Sequence, residues 1–162
     1  MSTLLYIRGE PGSGKITVGR LLEKSLGWPL LWFHDFDFLR NVIDSKEVED
    51  TIGNLVCESL TKLMAAGDVI YVRPSRTWQT VERVKALAEQ HGHRFVLVGL
   101  TAKYFELCER VQQRSERHRI TTRDGLDEYL CRPECYEFPG QHEIDTTLLR
   151  PADVAEAIKK LL

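Results

Sequence analysis

The run Thr3-Leu4-Leu5-Tyr6-Ile7-Arg8-Gly9-Glu10-Pro11-Gly12-Ser13-Gly14-Lys15-Ile16-Thr17-Val18-Gly19-Arg20-Leu21-Leu22 opens apolar, turns on glycines and continues at helical spacing. Residues 3–7 form a short apolar stretch that Arg8-Gly9 ends, as in a buried strand. From residue 15 to residue 26, Val18, Leu21, Leu22 and Leu26 share one helical face. Gly27 stops that helix as a C-cap does, and Pro29 keeps it from resuming. Between strand and helix lies Gly9-x-x-x-x-Gly14-Lys15. Glycines there let the backbone curl until successive N–H groups face one anion, in conformations a side chain obstructs. The helix that follows adds its N-terminal partial positive charge to the same spot. Lys15 then reaches the outer phosphates as a point charge. The alternative is a plain glycine-rich turn, against which the preceding strand and the following helix both weigh. The residues expected at a nucleotide are Gly9, Glu10, Pro11, Gly12, Ser13, Gly14, Lys15, Ile16 and Thr17.

One position breaks the pattern. A hydroxyl usually follows the lysine of such a loop and ligates Mg²⁺, but here the residue is Ile16. A branched alkyl group ligates no cation, and the Thr17 hydroxyl is turned about 100° around the helix axis from that position. Phosphate binding suffers less from the change than turnover, because the loop backbone and Lys15 remain. If the rest of the metal site is intact, Ile16→Ser raises Mg²⁺-dependent turnover more than about tenfold.

Outward from the loop, strands and helices alternate, the mark of a parallel sheet wrapped by helices. Strands are expected at 30–33, 69–72, 95–100 and 143–145, and helices at 48–66, 77–91, 102–117 and 151–162. Residues 118–140 look least regular, and no linker divides the chain, which reads as one domain over 1–162.

After the second strand comes His34-Asp35-Phe36-Asp37-Phe38-Leu39-Arg40. At the carboxyl end of a parallel strand, next to a phosphate loop, two carboxylates one residue apart can divide labour. One holds the Mg²⁺ shell and the other accepts the proton of an attacking hydroxyl, while Arg40 grips an anionic part of the substrate. The competing reading makes Asp35 or Asp37 an acidic N-cap of the helix that follows. Arg73, which ends the third strand, and Arg76 just beyond it are candidate holders of an acceptor's anionic group. Arg110 and Arg114 lie one helical turn apart and extend into Arg117, Arg119 and Arg123. Phosphoryl transfer spreads negative charge over the γ-phosphoryl oxygens, so such a cluster suits a lid near residues 112–125. A solvated face paired with Glu106, Glu109 and Glu116 is its rival.

Gly-x-x-Gly-Ser-Gly-Lys, then Thr-Val-Gly-Arg, then Asp35-x-Asp37 resembles the shikimate and gluconate kinase group. Asp35-x-Asp37-x-x-Arg40 also resembles adenylylsulfate kinase and the kinase half of polynucleotide kinases. Residues 136–139 (Tyr-Glu-Phe-Pro) and 144–147 (Ile-Asp-Thr-Thr) are similar to the closing segment of adenylylsulfate kinase-like proteins. The resemblance implies a three-layer α/β P-loop NTPase fold, its five parallel strands ordered 2-3-1-4-5 with helices on both faces. It implies ATP and Mg²⁺ as cofactors and a small hydroxylated acceptor. Lys15 becomes the phosphate clamp, Asp37 the base or substrate holder, and Asp35 a metal-side carboxylate. Arg110 lies against the adenine and Arg114 approaches the phosphates. Two departures stand out. Arg73 occupies the place where many relatives carry the Walker B aspartate, and no glycine run of the shikimate kinase sort follows the third strand.

Composition narrows the remaining options. Over 162 residues, 43% hydrophobic and 28% charged is the balance of a soluble globular protein. A net charge of −2 disfavours extended nucleic-acid binding, although Arg40, Arg73 and Arg76 could hold one strand end for a 5′-hydroxyl polynucleotide kinase. No apolar run reaches the about 20 residues a bilayer demands, so a cytoplasmic, membrane-free protein is expected. Cys57, Cys108, Cys131 and Cys135 read as free thiols. The Cys131–Cys135 gap with His142 nearby lacks the usual zinc spacing. Three functions stay open: a small-molecule kinase, a polynucleotide kinase, and a nucleotide binder without catalysis.

Overall fold

The computed structural model describes residues 1–44, 47–74, 77–114, 120–131 and 138–162. Its sheet is parallel throughout, with β1 (Thr3–Gly9), β2 (Leu30–Trp32), β3 (Val69–Val72), β4 (Arg94–Thr101) and β5 (His142–Asp145) in the order β2-β3-β1-β4-β5. The expected topology is the observed one.

The central strand shows why both faces are covered. Leu4 and Tyr6 point to one side and Leu5 and Ile7 to the other, and all four are fully buried. On the first side Leu4, Tyr6, Val69 and Tyr71 pack against α2 (Val48–Ala66) through Ile52, Val56 and Leu60. They also meet α3 (Trp78–Gln90) through Val81, Val84 and Ala88. On the second, Leu5, Ile7, Ile70 and Val98 meet α1 (Lys15–Leu26) through Val18 and Leu22. There α6 (Pro151–Lys159) contributes Val154 and Ile158. Each such side chain contributes about 1.5–3 kcal/mol when fully buried. Gly19 sets the depth of α1 on the sheet. A Cβ there would lie 2.8 Å from Leu30 Cδ1 and 3.0 Å from Val72 Cγ2.

The departures lie where sequence signals are weak. Residues 33–41 form a 3₁₀ segment, Phe33–Asn41, directly after β2. α4 spans Tyr104–Gln112, shorter than the 102–117 expected, and residues 115–119, with Arg117 and Arg119, lie outside the described residues. The expected lid therefore falls partly outside them too. The stretch read as irregular contains a helix, α5 (Arg123–Leu130). Thr122 caps it by accepting the Gly125 amide at 3.2 Å, and fully buried Leu126 seats it on Leu107 and Val111 of α4. The Tyr104 hydroxyl donates to Asp127 at 2.6 Å and accepts Arg123 Nε at 3.0 Å, which joins the two helices. Before β5, buried Phe138 stacks on Trp78 at 4.8 Å, and the Arg8 guanidinium lies 4.4 Å over its ring. No described helix is long and apolar enough to cross a membrane.

Candidate functional site

The carboxyl ends of β1, β2 and β3 open into a cavity of about 1150 Å³. Residues Pro11, Gly12, Ser13, Gly14, Lys15, Ile16 and Thr17 form its floor. Gly12 and Gly14 take φ of +92° and +87°, which side chains rarely adopt, so the loop requires glycine there. The loop closes on itself through the Glu10 carbonyl, which accepts the Ser13 amide at 3.1 Å and Lys15 Nζ at 3.0 Å. Gly14 is the N-cap residue of α1, so that helix starts at the cavity floor. Gly9 and Glu10 belong to the loop but do not line the cavity.

Lys15 is 7% exposed. Burial, then the charge of Arg114, pushes its ammonium down to about 7, with Glu10 opposing the shift. Arg114 faces the same cavity, half-buried, and burial lowers its guanidinium from the ordinary value. It has no carboxylate partner among the described residues. Lys15 and Arg114 thus face one cavity.

Arg110 also borders the cavity, but its donors are engaged by the protein. Nε donates to Glu106 at 2.7 Å, Nη1 to Thr146 Oγ1 at 3.0 Å and Nη2 to the Thr146 carbonyl at 2.8 Å. Nη1 also stands 3.4 Å from the Gly12 carbonyl. Thr146, only 3% exposed, lies within hydrogen-bond reach of the Ser13 and Thr101 carbonyls, at 3.2 and 3.0 Å. The pair clamps the phosphate loop to the ends of β4 and β5. The role of Thr146 escapes sequence reasoning because a lone threonine after a strand carries no signal.

The acidic pair separates. Asp37 lines the cavity, accepting His34 Nδ1–H at 2.5 Å and Arg40 Nε–H at 3.0 Å. Arg40 in turn donates through Nη1 to Glu49, at the start of α2. Asp35 is exposed and accepts the Trp32 amide at 3.1 Å, so it sits at the third position of the 3₁₀ segment, whose N-cap residue is Trp32, and is not itself the N-cap of a following helix. Neither Asp35 nor Arg40 lines the cavity, so Arg40 positions Asp37 and Glu49 there. Arg73 borders the cavity with its guanidinium 4.0 Å over the Phe33 ring, and Arg76 lies outside the described residues.

Mg²⁺ does not fit this donor set. The loop offers the alkyl group of Ile16, the end of β3 offers a guanidinium, and Asp35 serves a backbone amide. The carboxylates that do line the cavity are engaged, Asp37 and Glu49 by Arg40, and Glu128 also has a partner. No group of three or more potential protein ligands comes together among the described residues.

No family model matches the chain, and no curated protein matches it in sequence. Solved structures do resemble it. A Chloroflexus aurantiacus protein classed provisionally as a kinase superposes with TM-score 0.77 at 20% identity, covering 99% of this chain and 98% of that one. A gluconokinase from Sinorhizobium meliloti gives 0.71 at 15% identity over 96% and 88% of the two chains. The APS kinase CysC of Mycobacterium tuberculosis, in complex with AMPPNP and APS, gives 0.72 at 14% identity over 99% and 96%. Such identities speak to fold. Strand order, phosphate loop and near-complete superposition agree: the chain has the fold that these P-loop kinases share.

Proposed function

We propose that the chain binds ATP on the loop of residues 9–15 and transfers the terminal phosphoryl group to a hydroxyl of a small molecule. One observation carries the reading: buried Lys15 and half-buried Arg114 face the same cavity that holds Asp37. Positive groups shielded from water act most strongly where phosphoryl charge develops, and Lys15 is 7% exposed. The loop amides and the start of α1 hold the polyphosphate, and Lys15 and Arg114 offset the charge on its outer phosphates. An acceptor hydroxyl lies against Asp37, whose carboxylate takes its proton. The His34 and Arg40 hydrogen bonds fix that carboxylate in orientation. The gluconokinase and APS kinase among the similar structures favour a small acceptor.

Labelled ATP incubated with a panel of hydroxylated acceptors tests this reading. The expected result is transfer to one of them, reduced about a hundredfold or more by Asp37→Asn, as for loss of a general base. Full transfer by Asp37→Asn would remove that residue from the chemistry. Ile16 and Arg73 favour a second reading, a nucleotide binder without catalysis, which saturable ATP binding with no transfer to any acceptor would support. Competition by a short oligonucleotide would point instead to a polynucleotide acceptor.

A further inference from the structure

The two residues that break the metal site are both compatible with an anion. Ile16 brings no charge, and Arg73 brings a permanent positive one. The Arg73 backbone N–H donates to the Ile7 carbonyl at 3.2 Å, so the residue lies beside the end of β1, where the chain enters the phosphate loop. Its guanidinium carbon stands 4.0 Å over the centroid of the Phe33 ring, Phe33 is itself 5% exposed, and the guanidinium also neighbours the buried Tyr71 hydroxyl. A cation placed over an aromatic ring is held by the ring face, and a guanidinium has five N–H donors, more than one tyrosine hydroxyl can use, so donors remain for phosphate oxygens. Arg73 has no carboxylate partner among the described residues. The acids that line the cavity are already committed, Asp37 to His34 and Arg40, and Glu49 to Arg40, while Glu128 also has a partner.

We infer that the chain supplies its own counter-charge: Arg73 stands in for the divalent cation at the outer phosphates, and the cavity takes a nucleoside triphosphate as the metal-free anion. This rests on the proposed reading that residues 9–15 hold a polyphosphate. A cation that already coordinates the β- and γ-oxygens competes with Arg73, Lys15 and Arg114 for the same lone pairs. Mg²⁺ is therefore expected to leave affinity unchanged or weaken it, the opposite of its effect where a loop hydroxyl and a Walker B carboxylate receive the metal.

ATP titrated calorimetrically into the whole chain, once with EDTA and once with excess Mg²⁺, reads this directly. Affinity in EDTA equal to, tighter than, or within about threefold of that with Mg²⁺ is the expected result. Binding more than about threefold weaker in EDTA overturns the inference and leaves the phosphate loop reading standing. No saturable binding in either buffer overturns both. Arg73→Met, checked for folding by its melting curve, is expected to lose about tenfold or more in EDTA, the magnitude of one charged hydrogen bond. It should also gain a stimulation by Mg²⁺ that the wild type lacks. A smaller loss removes Arg73 from the role, and the wild-type comparison decides the metal question even if the variant does not fold.

Discussion

Lys15 is an ammonium held out of water next to a guanidinium, and burial and the Arg114 charge both favour its neutral form, against Glu10. A phosphate placed between Lys15 and Arg114 reverses that preference and restores the charge. The sign follows from these two states. In the free protein the group loses its proton at about 7, while in the complex it keeps it well above that pH. Binding near pH 8 must therefore take up a proton, and affinity should fall as pH rises above about 7, by at most about tenfold per pH unit. Calorimetry at pH 8 in buffers of different ionisation enthalpy checks this. The expected result is a buffer-dependent heat showing proton uptake, lost in Lys15→Ala. A heat independent of the buffer would mean that Lys15 does not meet the phosphates. Asp37 belongs to the same scale: its tie to His34 and Arg40 was not visible in a bare Asp-x-Asp, and neither was the bond by which Asp35 reaches back to the Trp32 amide.

Between residue and molecule stand the clamps that hold the elements in register. Thr146 joins β5 to the phosphate loop and to β4, and it anchors Arg110 of α4. Replacing its hydroxyl with a methyl, in Thr146→Val, leaves Arg110 Nη1 and the Ser13 carbonyl short of a partner, while the Thr101 carbonyl keeps the Thr146 amide. The expected cost is about 1–3 kcal/mol in stability. Misplacement of the loop should weaken ATP binding about tenfold as well. Thr146→Ser should keep both near wild type in chemical denaturation and ATP titration. Unchanged affinity in Thr146→Val would reduce the clamp to a packing contact. The elements legible in the sequence share one property, a clear hydrophobic period bounded by glycine or proline. Helix α1 has Val18 and Leu22 before Gly27, and α2 has Ile52, Val56 and Leu60 before Gly67. Helix α5 escaped because Gly125 interrupts it and only Leu126 of its eight residues is buried. The 3₁₀ segment escaped because its period is neither that of a strand nor that of an α-helix.

At the scale of the whole molecule, five parallel strands bring four distant sequence regions to one edge. These are the phosphate loop after β1, Asp37 after β2, Arg73 after β3 and Thr146 after β5. Strand order was legible through resemblance, and alternation of strand and helix through the residues themselves. The juxtaposition of Arg73 with the phosphate loop was not, because it depends on β3 lying beside β1 and on Phe33 receiving the guanidinium. The account as a whole rests on the loop amides closing around a polyphosphate. Amide chemical shifts of the isotope-labelled protein, followed during ATP titration, test that claim most directly. Saturable movement should be largest at Gly12, Ser13, Gly14, Lys15 and Ile16, and much smaller with AMP. Saturable ATP binding that leaves those five amides in place would contradict the account.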